Sequence, residues 1–339
     1  MKGTILFVLL HLIFFSTFAQ RVDYKNFDFQ KADSIASSLK GVKGYSIPEL
    51  ATALTANLHT DVEKIRAIYK WITENIEYDV VEYHQNVKVR DKYSIKRRRR
   101  YLKRNSKNIS KKTLRKGKAI CYGYSYLFKE LTSSIGIASH LVGGYSRTRS
   151  SLIGRKTRPD HAWNIVFIDQ QWYPVDVTWS SGYTNKKVTK FEYHFDDFYF
   201  LTKPESFIRD HYPQDPMWTM ILDPVPLKEF FNMPAIIEGF DENKINRFKP
   251  ESGIIRAGVD TTTQFFFTSN KDEGLKSVSF DFMTLTGFEF IEDMPSITLK
   301  LIKSDLGYYC NFQFSKAGRF KLLVSIDSNP SMLYDVYIR

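Results

Sequence analysis

A single cysteine opens the most clearly bounded helix in this sequence. From Cys121 the chain runs to Ile135 without a proline and, once Gly123 is passed, without a glycine. Gly136 then supplies the residue type that most often ends a helix. A thiol in the first helical turn lies beside unpaired N–H groups and the positive end of the helix dipole, and both favour the thiolate. The stretch therefore predicts a helix that carries an activated cysteine.

Two further reactive side chains fall on a predicted β-hairpin. Residues 162–168 and 172–179 are rich in β-branched and aromatic types, and the polar residues 169–171 between them suit a turn. In that register His161 lies diagonal to Asp176 on one face of the hairpin, within reach of its side chain. An imidazole is thus placed beside a carboxylate that can orient it. A cysteine helix packed on this hairpin would bring together a nucleophile, a base and an orienting acid.

These segments resemble the signatures of a known superfamily, the transglutaminase-like cysteine acyltransferases and proteases. The residues that carry the resemblance are Cys-x-Gly-Tyr at 121–124, His-x-Trp-Asn at 161–164 and Trp-Tyr-x-x-Asp-x-Thr-Trp at 172–179. A Tyr-Phe-Leu-Thr-x-Pro-Glu-x-Phe…His-x-Pro segment at 199–213 is similar to the kyphoscoliosis-peptidase-like branch. The helix predicted at 71–79 looks like the family's entry segment. The chain departs slightly at the turn, where Gln170 stands in place of a glycine found in many relatives.

The resemblance implies a catalytic triad of Cys121, His161 and Asp176. We expect further contacts to the oxyanion or substrate from Tyr78, Tyr122 and Trp163, with a buried structural role as the alternative for Tyr78. The histidines show no metal-ligand spacing, so we expect neither a metal nor a cofactor.

The predicted fold class is α+β, with a transglutaminase-like, papain-like core followed by an all-β domain. The chain has 339 residues, 43% of them hydrophobic, which is enough for one large or two ordinary domains. Six short alternating segments beyond residue 260 predict a small immunoglobulin-like sandwich with a binding, spacing or stabilising role. The expected organisation is a signal peptide at 1–19, a helical segment at 20–60, the catalytic domain at 61–222, a linker at 223–240 and the sandwich at 241–339.

The first residues have the pattern of an export signal. An apolar run at 5–15 follows Lys2, and Thr17 and Ala19 fit a cleavage site before Gln20. We therefore expect a periplasmic or extracellular protein without a membrane span after processing, an uncleaved anchor being the alternative. Two cysteines, Cys121 and Cys310, do not make a disulfide framework, and Cys310 has the pattern of a packed strand residue.

Basic residues are concentrated next to the cysteine. Residues 88–118 hold sixteen Lys or Arg and one acid, a local charge of +15 in a chain whose total is +12. Such a run is often merely solvated or disordered. A second basic loop precedes His161, and the two together would attract an acidic substrate or an anionic envelope surface. Nucleic acid is the least favoured partner of these loops, because aromatic residues are not interleaved with the basic ones. The residues of the second loop are Arg147, Arg149, Arg155, Lys156 and Arg158.

The sequence favours an exported thiol-dependent enzyme that acts on peptide or glutamine amide bonds. Hydrolysis by a cysteine protease or amidase and transfer to an amine share every step up to the acyl-enzyme, so the triad does not choose between them. The alternative is a catalytically silent envelope scaffold or binding protein of the same fold that holds anionic partners through its basic loops.

Overall fold

The computed structural model describes residues 22–90, 94–148, 153–185, 187–237, 240–241, 244–269 and 274–339. The predicted signal peptide lies outside the described residues. Within them, no helix combines the length and apolarity needed to cross a bilayer. In chain order the α-helices are α1 Gln30–Ser38, α2 Ile47–Thr55, α3 Asp61–Asn75, α4 Val80–Arg90, α5 Ile95–Arg104, α6 Ser106–Lys116, α7 Cys121–Ser134, α8 Pro204–Phe207 and α9 Leu227–Asn232.

The strands divide between a mixed N-terminal part and an all-β C-terminal part. The first part has β1 Glu77–Tyr78, β2 Lys118–Ala119, β3 Ser139–Ser146, β4 His161–Ile168, β5 Gln171–Val175, β6 Gly182–Thr184, β7 Phe191–Tyr193 and β8 His211–Pro213. The second has β9 Ala235–Ile236, β10 Arg247–Lys249, β11 Ile254–Ala257, β12 Thr262–Thr268, β13 Ser277–Met283, β14 Ile297–Lys300, β15 Ile302–Ser304, β16 Gly307–Gln313, β17 Gly318–Ile326 and β18 Asn329–Ile338.

Capping residues fix the starts of the helices that enclose the first core. Ser46 and Thr60 begin α2 and α3 with capping boxes, each closed by a glutamate three residues later. The apolar positions of α2 and α3 then recur at helical spacing and are fully or almost fully buried. Both helices pack against α7. The cysteine helix is therefore the centre of this part of the molecule.

A four-stranded antiparallel sheet supports the other side of α7. Its strand order is β5-β4-β3-β8, and α7 packs against β3 and β4. The turn between β4 and β5 has positive φ at both central residues, Asp169 and Gln170, as expected of a two-residue hairpin turn. Asn164 pairs with Val175 in this hairpin, which is the predicted register. The hairpin thus brings the end of β5 back towards the start of β4.

The basic segment is helical and part of it packs on the cysteine helix. The α6 helix packs on α7 with Ser110 and Thr113 fully buried and Leu114 half-buried, and it leaves its cations exposed. Between residues 94 and 118 there is no acidic residue. The described portion of the segment therefore has one face that contacts the core and one strongly positive face in solvent.

A glycine permits the close contact between α6 and α7. A Cβ atom at Gly123 would lie 2.4 Å from the Cβ of Ala119 and 2.7 Å from the Oγ1 of Thr113. We expect Gly123→Ala to lower the free energy of unfolding by about 2 kcal/mol, because neither neighbour can move away without displacing backbone. Urea unfolding followed by circular dichroism measures this, with the exposed Ser133→Ala on the same helix as the control. Equal stability of the two variants would contradict the packing argument.

The C-terminal part is a sandwich of two sheets. One has the order β10-β12-β16-β15, and the other has the order β11-β18-β17-β13-β14 with β9 added beside β18. Phenylalanine rings fill the space between them, with Phe280 lying 4.3 Å from Phe312 and 4.8 Å from Phe265 between ring centroids. The α+β core followed by an all-β domain agrees with the predicted fold class.

The stretch at 223–240 is more than a connector. It contains α9, whose Phe230 and Phe231 are buried, and β9, which pairs with β18 of the sandwich. Its backbone carbonyls also hold the buried side chain of Arg147 from the end of β3. Described residues of this stretch therefore pack against the first part of the chain and continue into the second.

Candidate active site

Cys121 is the first residue of α7. The residue before it, Ile120, is extended and provides no capping side chain for the first turn. Helical N–H groups at such an end have no partner within the helix. The thiol is free and almost buried, with 6% of the residue exposed. The helix thus presents a thiol together with backbone donors that can stabilise negative charge.

His161 lies between Cys121 and Asp176. As the first residue of β4 it donates a hydrogen bond of 2.5 Å from Nε2 to Oδ2 of Asp176. This bond leaves Nδ1 for the thiol of Cys121, which lies within hydrogen-bonding reach of the ring. The structure therefore brings together the three side chains that the sequence predicts, in the order sulfur, imidazole, carboxylate.

Asp176 is fully buried and accepts four hydrogen bonds. Its Oδ1 accepts from the backbone N–H of Thr178 at 2.8 Å and of Trp179 at 3.1 Å. Its Oδ2 accepts from the Nε2 atoms of His161 and His211, the second at 3.0 Å. Burial alone would raise the pKa of this carboxyl, but the charges and hydrogen bonds of the two imidazoles hold it well below its usual range. Asp176 is therefore a fixed anion.

The imidazole of His161 is correspondingly basic. Burial disfavours its charged form, but the charge and hydrogen bond of Asp176, followed by those of Cys121, keep the pKa of His161 well above its usual range. These contacts therefore favour the imidazolium form of His161.

The three additional candidates have different surroundings. Tyr78 is partly buried, and burial together with the nearby charge of Cys121 raises the pKa of its hydroxyl, which stays protonated as a donor. Tyr122 is partly exposed and its hydroxyl lies beside Gly143 of β3. Trp163 is only 1% exposed and packs with Val142, Ile165 and Phe207. Its ring lies beside that of His161, with centroids 6.1 Å apart, and its contact with a substrate stays a prediction.

Sequence reasoning missed His211. This histidine opens β8, a strand that joins the sheet on the far side of β3, and its second ring nitrogen, Nδ1, lies 2.5 Å from Oδ1 of Asp210. The only signal for it was the His-x-Pro at the end of the 199–213 segment. The ligand-capable atoms of His161, Asp176 and His211 lie within 4.8 Å of one another. Both imidazoles lie at hydrogen-bonding distance from the same oxygen, Oδ2 of Asp176. The three side chains therefore form a hydrogen-bonded chain.

One member of the predicted basic loop is structural. Arg147 is buried, and its guanidinium donates to the carbonyls of Phe230 and Met233. Burial lowers the pKa of Arg147 to about 10. Among the other predicted members, Arg155, Lys156 and Arg158 are exposed, and Arg149 lies outside the described residues. The positive charge offered to a partner before His161 is thus smaller than the sequence suggests.

The triad is covered in this conformation. Cys121 and His161 are each 6% exposed and Asp176 is fully buried. Two surface cavities, of about 510 Å³ beside α1 and about 200 Å³ beside α9, are lined by none of the three residues. In this conformation the sulfur therefore has little contact with solvent.

Comparisons with known proteins agree with this geometry. The family model of the transglutaminase-like superfamily matches residues 48–177. The chain is 31% identical over 263 residues to kyphoscoliosis peptidase of Homo sapiens, an alignment that covers 74% of this chain and 37% of that protein. It is 26% identical over 225 residues to hillarin of Drosophila melanogaster, covering 62% of this chain and 25% of that protein.

A third relative carries the family in its name. The Lim and transglutaminase domain protein ltd-1 of Caenorhabditis elegans is 28% identical over 225 residues, covering 61% of this chain and 28% of that protein. The chain spans well under half the length of these curated relatives. The matched domain contains Cys121, His161 and Asp176 on the elements that the sequence predicted for them. The chain belongs to the transglutaminase-like superfamily, in the branch that resembles kyphoscoliosis peptidase.

Proposed function

We propose that this protein is a thiol-dependent acyl-transfer enzyme, a cysteine protease or amidase or a transglutaminase-like enzyme, that acts on peptide or glutamine amide bonds. The observation that carries the proposal is the placement of Cys121, at the start of a helix, beside an imidazole that is hydrogen-bonded at 2.5 Å to Asp176. A nucleophile, a base and an orienting acid in hydrogen-bond contact are the parts that acyl transfer requires.

Each residue has one role in the reaction. The thiolate of Cys121 attacks the carbonyl carbon of the amide, and the tetrahedral intermediate collapses to a thioester as the amine leaves. His161 gives the leaving amine the proton that it took from the thiol, and later accepts a proton from the second nucleophile. Asp176 fixes the ring by accepting from Nε2, which keeps Nδ1 directed at the sulfur.

The oxyanion of the intermediate needs donors close to the sulfur. The backbone N–H of Cys121 is one, since it lies at the start of α7 where no helical carbonyl accepts it. The hydroxyl of Tyr78 is the second, because it is protonated and close enough to feel the charge of the thiolate. Tyr122, at the partly exposed edge beside Gly143, is suited to contact the substrate.

Water or an amine completes the reaction by attacking the thioester. The first outcome is hydrolysis and the second is crosslinking, and all steps before this one are common to both. Hydrolysis is favoured because the relative whose alignment covers 74% of this chain is named a peptidase. Profiling of released amines and of new crosslinks in cell extracts treated with wild type or Cys121→Ala protein separates the two outcomes and identifies the substrate.

The reactivity of the thiol tests the proposal without a substrate. We expect His161→Ala to slow alkylation of Cys121 by iodoacetamide at pH 7 by roughly tenfold or more, because the thiolate loses its partner. Cys310 does not interfere, since it is 2% exposed and burial raises the pKa of its thiol to about 11. Intact-protein mass spectrometry measures the rate, with His140→Ala on the neighbouring strand as the control. An unchanged rate in His161→Ala would count against activation.

A second candidate function is supported by the exposed charge of α5 and α6. Their described cations face solvent and no acidic residue lies between 94 and 118, so a catalytically silent protein of this fold could hold anionic partners there. Binding to vesicles of anionic lipid, or to an acidic peptide, that weakens with salt and persists in a Cys121→Ser variant favours this scaffold role. Reactivity that depends on His161 favours the enzyme.

We also propose export. The support is the composition of residues 1–19, with a basic start, an apolar run and small residues before Gln20. Determination of the N-terminus of the protein purified from its native cells tests this, and a chain that retains its first nineteen residues contradicts it.

A further inference from the structure

A second histidine is bound to the acid of the triad. His211 lies between two carboxylates, with Nε2 at 3.0 Å from Oδ2 of Asp176 and Nδ1 at 2.5 Å from Oδ1 of Asp210. The residue is 1% exposed. The proposed mechanism gives this buried titratable group no role.

One sequence segment supplies several of the groups around His211, and the rings of Trp163 and Trp179 lie on its other sides at 5.2 and 4.4 Å. The ring of Phe207 stacks on the imidazole with centroids 4.2 Å apart, and Tyr199 donates from its hydroxyl to Asp210 at 2.9 Å. The backbone carbonyl of Tyr199 also accepts from the N–H of Asp176 at 3.0 Å. The Tyr-Phe-Leu-Thr…His-x-Pro segment at 199–213 therefore contacts both the backbone and the carboxylate of Asp176.

The hydrogen bonds specify the charge of His211. An ionised carboxylate only accepts, so a ring whose two nitrogens each face a carboxylate oxygen donates from both and is an imidazolium. Asp176 and Asp210 are the anions that face it, the hydroxyl of Tyr199 caps Asp210, and the charge of Arg147 acts on Asp210 from outside. The ring of His161 lies 5.2 Å away, between centroids.

We propose that His211 is a positioning residue that acts on His161 through Asp176, sharing the carboxylate oxygen and weakening its attraction for the proton on His161. This rests on the proposed function, since it assigns a role within the Cys121–His161 pair.

The contribution specific to His211 is its positive charge. Asp176 is already held by two backbone N–H groups at Oδ1, so its position does not depend on His211 alone. A second cation at the same carboxylate opposes protonation of His161 directly and reduces the field of Asp176. The charges then alternate in sign along the series Cys121, His161, Asp176, His211 and Asp210. Removal of the positive charge of His211 makes the thiolate–imidazolium pair of Cys121 and His161 easier to form.

The pH profile of Cys121 alkylation tests the proposal. We expect His211→Gln, which keeps an amide donor for Asp176, to move the midpoint of iodoacetamide labelling about one pH unit lower. Asp210→Asn leaves the ring in place and is expected to shift the midpoint in the same direction, because His211 then loses one proton. Phe207→Leu removes the stacked ring without a change of charge and should leave the midpoint within about 0.3 units of wild type.

The ring nitrogens give a readout independent of reactivity. In protein labelled with ¹⁵N-histidine, His211 should have both nitrogens protonated at pH 7 in wild type and one in Asp210→Asn. An unshifted midpoint in His211→Gln, or an equal shift in Phe207→Leu, would overturn the proposal while leaving the triad intact. A wild-type profile like that of a free thiol and independent of His161 would instead remove the proposed function.

Discussion

Exchange of Cys121 for serine will abolish acyl-enzyme formation and reduce turnover by roughly 10⁴-fold or more, because a hydroxyl in this site is not ionised by the imidazole. Native wild-type protein should gain a single iodoacetamide adduct in intact-mass spectra. Cys121→Ser should gain none, since the remaining thiol of Cys310 is buried in the sandwich.

The matched control is Cys310→Ser, which should keep the adduct and its rate. After unfolding in denaturant, every cysteine of wild type and of both variants should be alkylated. This control separates lost reactivity from incomplete labelling. A native adduct in Cys121→Ser would show that Cys310 is accessible and would remove alkylation as a measure of the triad.

Exchange of Asp176 for asparagine will have the second large effect. The buried carboxylate accepts from two imidazoles and two backbone groups, and a neutral amide leaves His161 without its counter-charge and His211 with Asp210 alone. We expect a loss of roughly 10³- to 10⁴-fold in turnover, because the ring of His161 is no longer held in the reactive tautomer. We also expect a loss of about 3 kcal/mol in the free energy of unfolding.

The loss of stability in Asp176→Asn should depend on pH. The pKa of Asp176 is lower in the folded than in the unfolded chain, so its contribution is present above the ordinary carboxyl value of about 4 and disappears as the pH falls towards the folded value. Wild type and variant should therefore differ most near neutrality, and the difference should shrink from about pH 4 downwards as the pH approaches the folded pKa. Urea unfolding at a series of pH values measures this difference. A difference that grows as the pH falls would contradict the assignment of Asp176 as a fixed anion.

The matched control for a buried carboxylate lies in the sandwich. Asp335 forms a buried ion pair of 2.6 Å with Lys321, remote in sequence from the triad. Asp335→Asn should also lower stability, yet leave the alkylation rate of Cys121 close to that of wild type. Equal loss of reactivity in the two variants would attribute the effect of Asp176→Asn to general destabilisation.

The parts of the site that depend on local structure were predictable. The hairpin register follows from a two-residue turn, and it fixes where β5 returns beside β4. The end of the cysteine helix follows from Gly136, which has positive φ. The α+β core and the later all-β part likewise follow from helical and alternating periodicities that each need only a short window of sequence.

The parts that depend on distant pairing were not predictable. His211 reaches Asp176 only because Ser146 pairs with it across β3 and β8, a contact that spans 65 residues and has no local signal. The burial of Arg147 depends in the same way on the carbonyls around α9. Alternation along β4 places Trp163 on the same face as His161, but it does not show which side chains cover that face.

The basic segment shows a different limit. The fully buried residues of α6 are Ser110 and Thr113, and Leu114 packs half-buried on the core. One apolar contact among many cations is too weak a periodic signal to predict a packed helix there. The glycine opposite, Gly123, accounts for the fit, since it lets a hydroxyl-bearing face approach the helix backbone.

The anchoring of Arg147 sets a boundary for dissecting this chain. Its guanidinium is satisfied by carbonyls of Phe230 and Met233, and its own N–H donates to the carbonyl of Asp210, next to His211. A fragment that ends at residue 222, the limit of the predicted domain, would lack both acceptor carbonyls and the ring of Phe230, which lies 5.6 Å from this guanidinium. We therefore expect a stable fragment to extend at least to Met233, and shorter fragments to lose stability together with reactivity.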